Sequence, residues 1–421
     1  MRKWGALAIG GVLLITLATP VNAAAPKAGA TCTKKNATAT SAGKLYTCIL
    51  SGKKLVWNKG VAVPKPTPSP TKPTAIGDPI GAVGSTPSPT PTPTPTPTPS
   101  FTPPKEPKSF AEIEENYEGV IYWAWKKSKD KIESSKSSIG FFESIIGPNS
   151  GILNKNPLIA YETTSRLYAG YEQGSKLYSI SYSFDDVKWA QTKFEDLFAD
   201  PELLRVLQSP NRGGPNQALN ICPSPERCHS STPNTNRSGV SIILVGYTPT
   251  RTNYLGETNG DLQSHEYTHV VQQSQFIGTA REINGLASTK EFMPWWLIEG
   301  GADFGGLAST YYQSFASYSE ARLRDVNSVK KRDATWFASF IDPASNQEWI
   351  QYDSTGEIYN VGFMITEIFT ALKGPDSQME IAKQIARGKT MDEAFENVFG
   401  TPWKSAVPII ARVLANVRAK G

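Results

Sequence analysis

The hydrophobic pattern changes character several times along the chain. Residues Ala6 to Ala18 form an apolar run behind Arg2 and Lys3, and "VNA" precedes Ala24. A basic start, a short apolar stretch and a small-residue cleavage site predict a signal peptide over residues 1–23. Nothing later reaches about 18 consecutive apolar residues, so no membrane span is expected in the mature chain. Short apolar runs in "KLYTCIL" and "KKLVW" predict the strands of a hairpin within a small module, residues 24–60. The tract over 61–107, with "STPSPTPTPTPTPTPS", cannot bury a core and predicts an extended spacer.

Residues 108–421 remain as one large domain. Helical periodicity runs through "FAEIEENYEGVIYWAWKKSKDKIESS"; "PLIAYETTSRLYAGY" and "KLYSISYSF" look strand-like; Ser183 opens a helix in "SFDDVKWAQTKFEDLF". A loop rich in Pro, Asn and Ser spans 209–238, "VSIILVGY" is a clear strand, and the rest is mostly helical. Strands early and helices late predict an α+β fold: a mixed sheet lobe, with "VSIILVGY" at its edge, above a mainly helical lobe.

Charge refines the division. Residues 1–106 hold 12 Lys+Arg and 2 Asp+Glu, leaving 31 and 36 for the remainder, and the 24–60 module has seven lysines and no acid. The split gives no support to nucleic-acid binding; it suggests that the front meets an anionic surface such as a cell-wall polymer, or solubilises the chain. Cys32 with Cys48 and Cys222 with Cys228 form two local pairs, which export makes disulfides. Metal ligation by Cys222, Cys228 and His229 is the alternative for the second pair.

The chain has 3 histidines, and two fall in "LQSHEYTHVVQQ". Residues four apart on a helix share a face, so His265 and His269 can reach one ion while Glu266, about 100° round, faces the same cavity. This H-E-x-x-H spacing is the zinc-protease signature. A catalytic zinc takes three protein ligands and leaves a position for water, so a further ligand is needed. Glu299, set in the apolar "WWLIEGGADFGG", supplies it, since a carboxylate there needs a cation to remain ionised. Asp303, one turn on, can accept the free ring N–H of a zinc-bound histidine.

H-E-x-x-H followed by E-x-x-x-D resembles the gluzincin metallopeptidases, and "WLIEGGAD" is similar to the W-L-x-E-G-x-A of their aminopeptidase N side. The resemblance implies one zinc per chain in a cleft between the lobes, held by His265, His269 and Glu299. It further implies Glu266 as catalytic acid/base and Asp303 as the partner of His265. "EIYNVGFMITEIF" resembles a Y-x-K-G segment, with Tyr359 and Gly362 matching and Val361 replacing lysine, and this makes Tyr359 the candidate oxyanion donor. Tyr311, Tyr312, Tyr318 and Tyr352 compete for that role. The tail "GKTMDEAFENVFG" is similar to the helical lobe of peptidase-MA-like members. Nothing upstream of His265 matches the G-x-M-x-N amine-binding segment, so aminopeptidase action does not carry over.

The expectation is a secreted zinc metallopeptidase acting on peptide or protein substrates, with "VSIILVGY" as the edge strand that pairs with an extended chain. The alternatives are a cell-surface binding protein with a structural zinc, and a zinc amidase acting on cell-wall peptides.

Overall fold

The computed structural model describes residues 27–32, 38–41, 44–51, 54–59, 61–62, 101–150, 157–209, 214–248, 259–287, 289–342 and 355–420. The signal segment and most of the Pro/Thr tract lie outside these. The chain divides into two compact units, Met1–Thr96 and Pro97–Gly421.

In the first unit, β2 (Lys44–Ser51) is the central strand, antiparallel to β1 (Thr38–Ser41), β3 (Lys54–Trp57) and β4 (Val61–Ala62). The β2–β3 pair is the hairpin expected from "KLYTCIL" and "KKLVW". Cys48 on β2 is fully buried and disulfide-bonded to Cys32.

The second unit has an α+β fold. It opens with α1 (Phe110–Ile113) and α2 (Tyr117–Ser134), so the long helical run is broken at Asn116, the cap of α2. Next come β5 (Phe141–Ile146), α3 (Leu158–Leu167) and β6 (Lys176–Tyr182). A single 3₁₀ turn, Phe184–Asp186, leads from Ser183 into α4 (Val187–Phe198), followed by α5 (Pro201–Leu207) and α6 (Gln217–Ile221). Then β7 (Ser231–Thr235) and β8 (Val240–Gly246) complete a sheet of order β5-β6-β8-β7. The first three strands are parallel and β7 is antiparallel to β8.

Three expectations are corrected. The stretch 209–238, expected as loop, holds α6 and β7. "PLIAYETTSRLYAGY" is largely helical: Thr163 and Thr164 bond their hydroxyls to the carbonyls four residues back, and Tyr161, Thr164 and Leu167 form a buried stripe at helical spacing. "VSIILVGY" is not the edge strand. It lies between β6 and β7, and its continuous apolar run follows from being covered on both faces. Ile243 and Val245 join the core that holds the C-terminal helices, while Ile242 and Leu244 pack with α4, α5 and α6.

After β8 the chain is helical: α7 (Asp261–Ser274), α8 (Trp295–Thr310), α9 (Phe315–Ser328), α10 (Ala334–Ile341), α11 (Thr355–Lys373), α12 (Asp376–Ala386), α13 (Met391–Phe399) and α14 (Trp403–Lys420). A capping box between Thr390 and Glu393 opens α13, whose Met391, Ala394 and Phe395 are buried as their spacing predicts. No helix among the described residues is long and apolar enough to cross a membrane.

Candidate metal centre

Close helix packing builds the centre. A methyl group at Gly300 would overlap the backbone of Gly362, and one at Gly362 would overlap the Trp296 carbonyl, so α8 and α11 approach backbone to backbone. On the opposite face of α8, Gly305 meets the Thr268 side chain and Gly306 meets Asp261, which brings in α7. The glycines of "WWLIEGGADFGG" are thus the reason one glutamate on α8 can meet two histidines on α7 and a tyrosine on α11.

His265, His269 and Glu299 present one ligand atom each, all within 4.8 Å of one another, and this group could hold a metal ion. The separations are 3.1 Å between the two histidine Nε2 atoms, 3.2 Å from His269 Nε2 to Glu299 Oε2 and 3.6 Å from His265 Nε2 to Glu299 Oε2. A tetrahedral ion with bonds of about 2.0–2.1 Å spaces its ligand atoms about 3.3 Å apart, so the donors fit a small divalent cation. The outer ring nitrogens are also held. Asp303 Oδ1 lies 2.7 Å from His265 Nδ1, and Gln272 Oε1 lies 2.9 Å from His269 Nδ1. Gln272 donates its amide nitrogen to the Ile298 carbonyl at 3.0 Å, which turns its oxygen toward His269 and makes Nδ1 the protonated nitrogen. Both Nε2 lone pairs then point at the shared centre.

The electrostatics favour a cation. Burial works against charge on Glu299, but His269 and His265 outweigh it and hold its carboxyl well below the usual range. Burial likewise opposes charge on His265, and the Asp303 and Glu299 carboxylates overcome it, raising its pKa well above the ordinary histidine value. A metal entering here displaces a proton, so its affinity falls as pH falls. Around this centre, burial and the nearby Asp303 and Asp325 push Asp261 up to about 7, and burial together with Asp303 pushes Asp325 up to about 6.

A cavity of about 1070 Å³ opens onto the centre and runs along β7; Glu266, Asp303, Trp295 and Tyr359 also line it. Glu266, 5% exposed, stands outside the donor set and accepts a 2.6 Å hydrogen bond from Ser231 Oγ. The Tyr359 ring stacks on His265 at 6.0 Å between centroids. Burial and the carboxylates of Glu299, Asp303 and Glu266 raise its pKa, so its hydroxyl keeps its proton. Of its competitors, Tyr318 donates to Glu367 deep in the helical core, Tyr311 accepts from Asn259, and Tyr312 accepts from Gln313. Tyr352 lies outside the described residues.

The chain's own chemistry thus gathers His265, Glu266, His269, Glu299, Asp303 and Tyr359 at one place. Cys222 and Cys228 are joined in a disulfide, which removes them as metal ligands. Sequence reasoning missed Gln272 and Ser231. Gln272 has a readable signal, being three residues beyond His269 on the same helix face, whereas Ser231 has none because the Pro, Asn and Ser around it favour a loop. No family model matches the chain, and no curated protein matches it.

Proposed function

We propose that this chain is a zinc-dependent metallopeptidase of the gluzincin type, hydrolysing peptide bonds with Glu266 as general acid/base. Glu266 carries the reading. A site that only stored a metal would need His265, His269 and Glu299, yet here a further buried carboxylate faces the same cavity without belonging to the donor set. When bound, zinc supplies Lewis-acid chemistry, polarising a carbonyl and acidifying a water molecule. His265, His269 and Glu299 would hold it, with Asp303 and Gln272 keeping the histidines in register.

Glu266 takes the proton of the attacking water and passes it to the leaving amine as the carbon–nitrogen bond breaks. Ser231 holds one of its oxygens, which fixes the carboxylate's orientation. Tyr359, protonated and beside His265, donates to the oxygen that gains charge at the carbonyl carbon. The two disulfides suit an oxidising, extracellular setting, and the lysine-rich 24–60 module is proposed to meet an anionic wall polymer there.

The test is elemental analysis of the purified chain beside cleavage of a broad peptide library, with and without chelator. One zinc per chain and chelator-sensitive cleavage are expected. Bound zinc with no cleavage of peptides or wall fragments would overturn the reading in favour of a non-catalytic metal-bearing protein.

A further inference from the structure

Among the described residues β7 pairs on one side only, with β8, and the cavity runs along it. The register fixes which backbone groups face outward. Gly246 N donates to the Ser230 carbonyl at 2.9 Å and Asn236 N donates to the Val240 carbonyl at 3.0 Å. In an antiparallel pair every second residue between those bonds exchanges hydrogen bonds with the partner strand. Thr232 and Asn234 therefore face β8, opposite Leu244 and Ile242, while Ser231, Pro233 and Thr235 turn their backbone groups to the other side, where the antiparallel bridge between Asn236 and Leu286 closes the edge beyond Thr235 and leaves Ser231 and Pro233 along the open stretch.

The three outward positions are not equivalent. Ser231 offers both an N–H and a carbonyl, next to the Glu266 carboxylate that its hydroxyl touches. Pro233 has no N–H, and its carbonyl accepts from Gln273 Nε2 at 3.3 Å. The ladder that an extended chain could form on this edge is therefore interrupted one step beyond Ser231. A chain laid antiparallel to β7, the more stable pairing, places the residue two positions toward its N-terminus opposite Pro233.

We propose that Ser231 alone registers the substrate backbone on β7, and that Pro233 and Gln273 are specificity-determining residues that stop pairing toward the substrate's N-terminus. The inference rests on the peptidase reading and narrows it. The favoured substrates are short peptides, chain ends and segments that turn away there, rather than long β-extended stretches.

The test uses zinc-loaded full-length protein carrying Glu266→Gln, so that bound peptides persist, and calorimetry with unlabelled peptides. One series extends a Gly-Leu-Ala-Leu core by one to four alanine or serine residues at its N-terminus, and a second extends it at its C-terminus. N-terminal extension is expected to change Kd less than about twofold, because no new backbone bond forms. Adding Gln273→Ala and Pro233→Ala frees the carbonyl and restores a donor, and the same extension should then tighten binding about five- to a hundredfold, the equivalent of two net hydrogen bonds. Gln273→Ala alone, which leaves the strand backbone intact, should give a smaller part of that gain. Affinity that climbs with N-terminal length in the parent, or a length dependence untouched by these substitutions, would overturn the inference alone. Failure to bind any peptide of either series would overturn the peptidase reading with it.

Discussion

The two walls of the cavity are built on opposite principles. One is the α7–α8–α11 packing, where glycines let three helices touch and each of the two histidines is fixed through its outer ring nitrogen. The other is β7, a strand of sequence STPNT with little strand propensity, held by β8 on one side. A rigid helical wall suits groups whose positions must hold within fractions of an ångström, whereas a single polar edge strand suits a partner that varies. On the proposed function, chemistry belongs to the helices and recognition to the strand, and each role can be broken separately.

The largest expected effect lies at Glu266. Glu266→Gln should keep the zinc of the parent and lower kcat by about 10²–10⁴, the range for removing a general base. His269→Ala should lose both metal and cleavage, because it removes a donor atom. Near-parent cleavage by Glu266→Gln, followed by product analysis, would move the chemistry off α7 and end the contrast between the walls.

Asp303→Asn comes next. It removes the carboxylate 2.7 Å from His265 Nδ1 and should weaken metal affinity about 10- to 100-fold in a chelator competition. Unchanged affinity would mean that helix packing alone orients His265. That possibility is probed directly by Gly300→Ala, whose methyl would push α8 from the Gly362 backbone. A cost of about 1–3 kcal/mol is expected in denaturant unfolding. A variant as stable as the parent would show that the two helices can part without harm.

The helical wall was legible in the sequence and the strand wall was not, for physical reasons. Helix spacing alone puts His265 and His269 on one face, and an acid inside Trp-Trp-Leu-Ile requires a cation, so local rules reach the donor set. That Gly300 meets Gly362, or that Gln272 reaches back to the Ile298 carbonyl, depends on tertiary packing that no local pattern carries. In β7 local preference points the wrong way: Ser, Pro and Asn favour turns, and the strand forms because β8 offers it an unpaired edge. The same oversight made β8 look like the edge. The reading of 157–171 as strand failed differently, because threonines that bond their own helix carbonyls mimic β-branched strand residues.

The smallest effect sharpens the electrostatic side of the comparison. Asp261 has a folded pKa of about 7 against an ordinary value of 3.8, raised by burial and by Asp303 and Asp325. A raised carboxyl binds more protons in the folded than in the unfolded state between those two values, so it lowers stability as pH rises through that window, and the penalty is complete above about 7. Asp261→Asn removes the penalty. In chelator-treated protein its gain over the parent should be near zero at pH 3.5, intermediate at pH 5.5 and largest at pH 8. Because the side chain is partly exposed and screened, we expect a gain of only about 2 °C in melting temperature at pH 8. In zinc-loaded protein the gain should shrink, since a cation held by the neighbouring His265 offsets the repulsion among these carboxylates. An equal gain with and without zinc would show that the Asp261 cluster and the His265–His269–Glu299 centre are electrostatically separate, and the helical wall would then hold two independent fields rather than one.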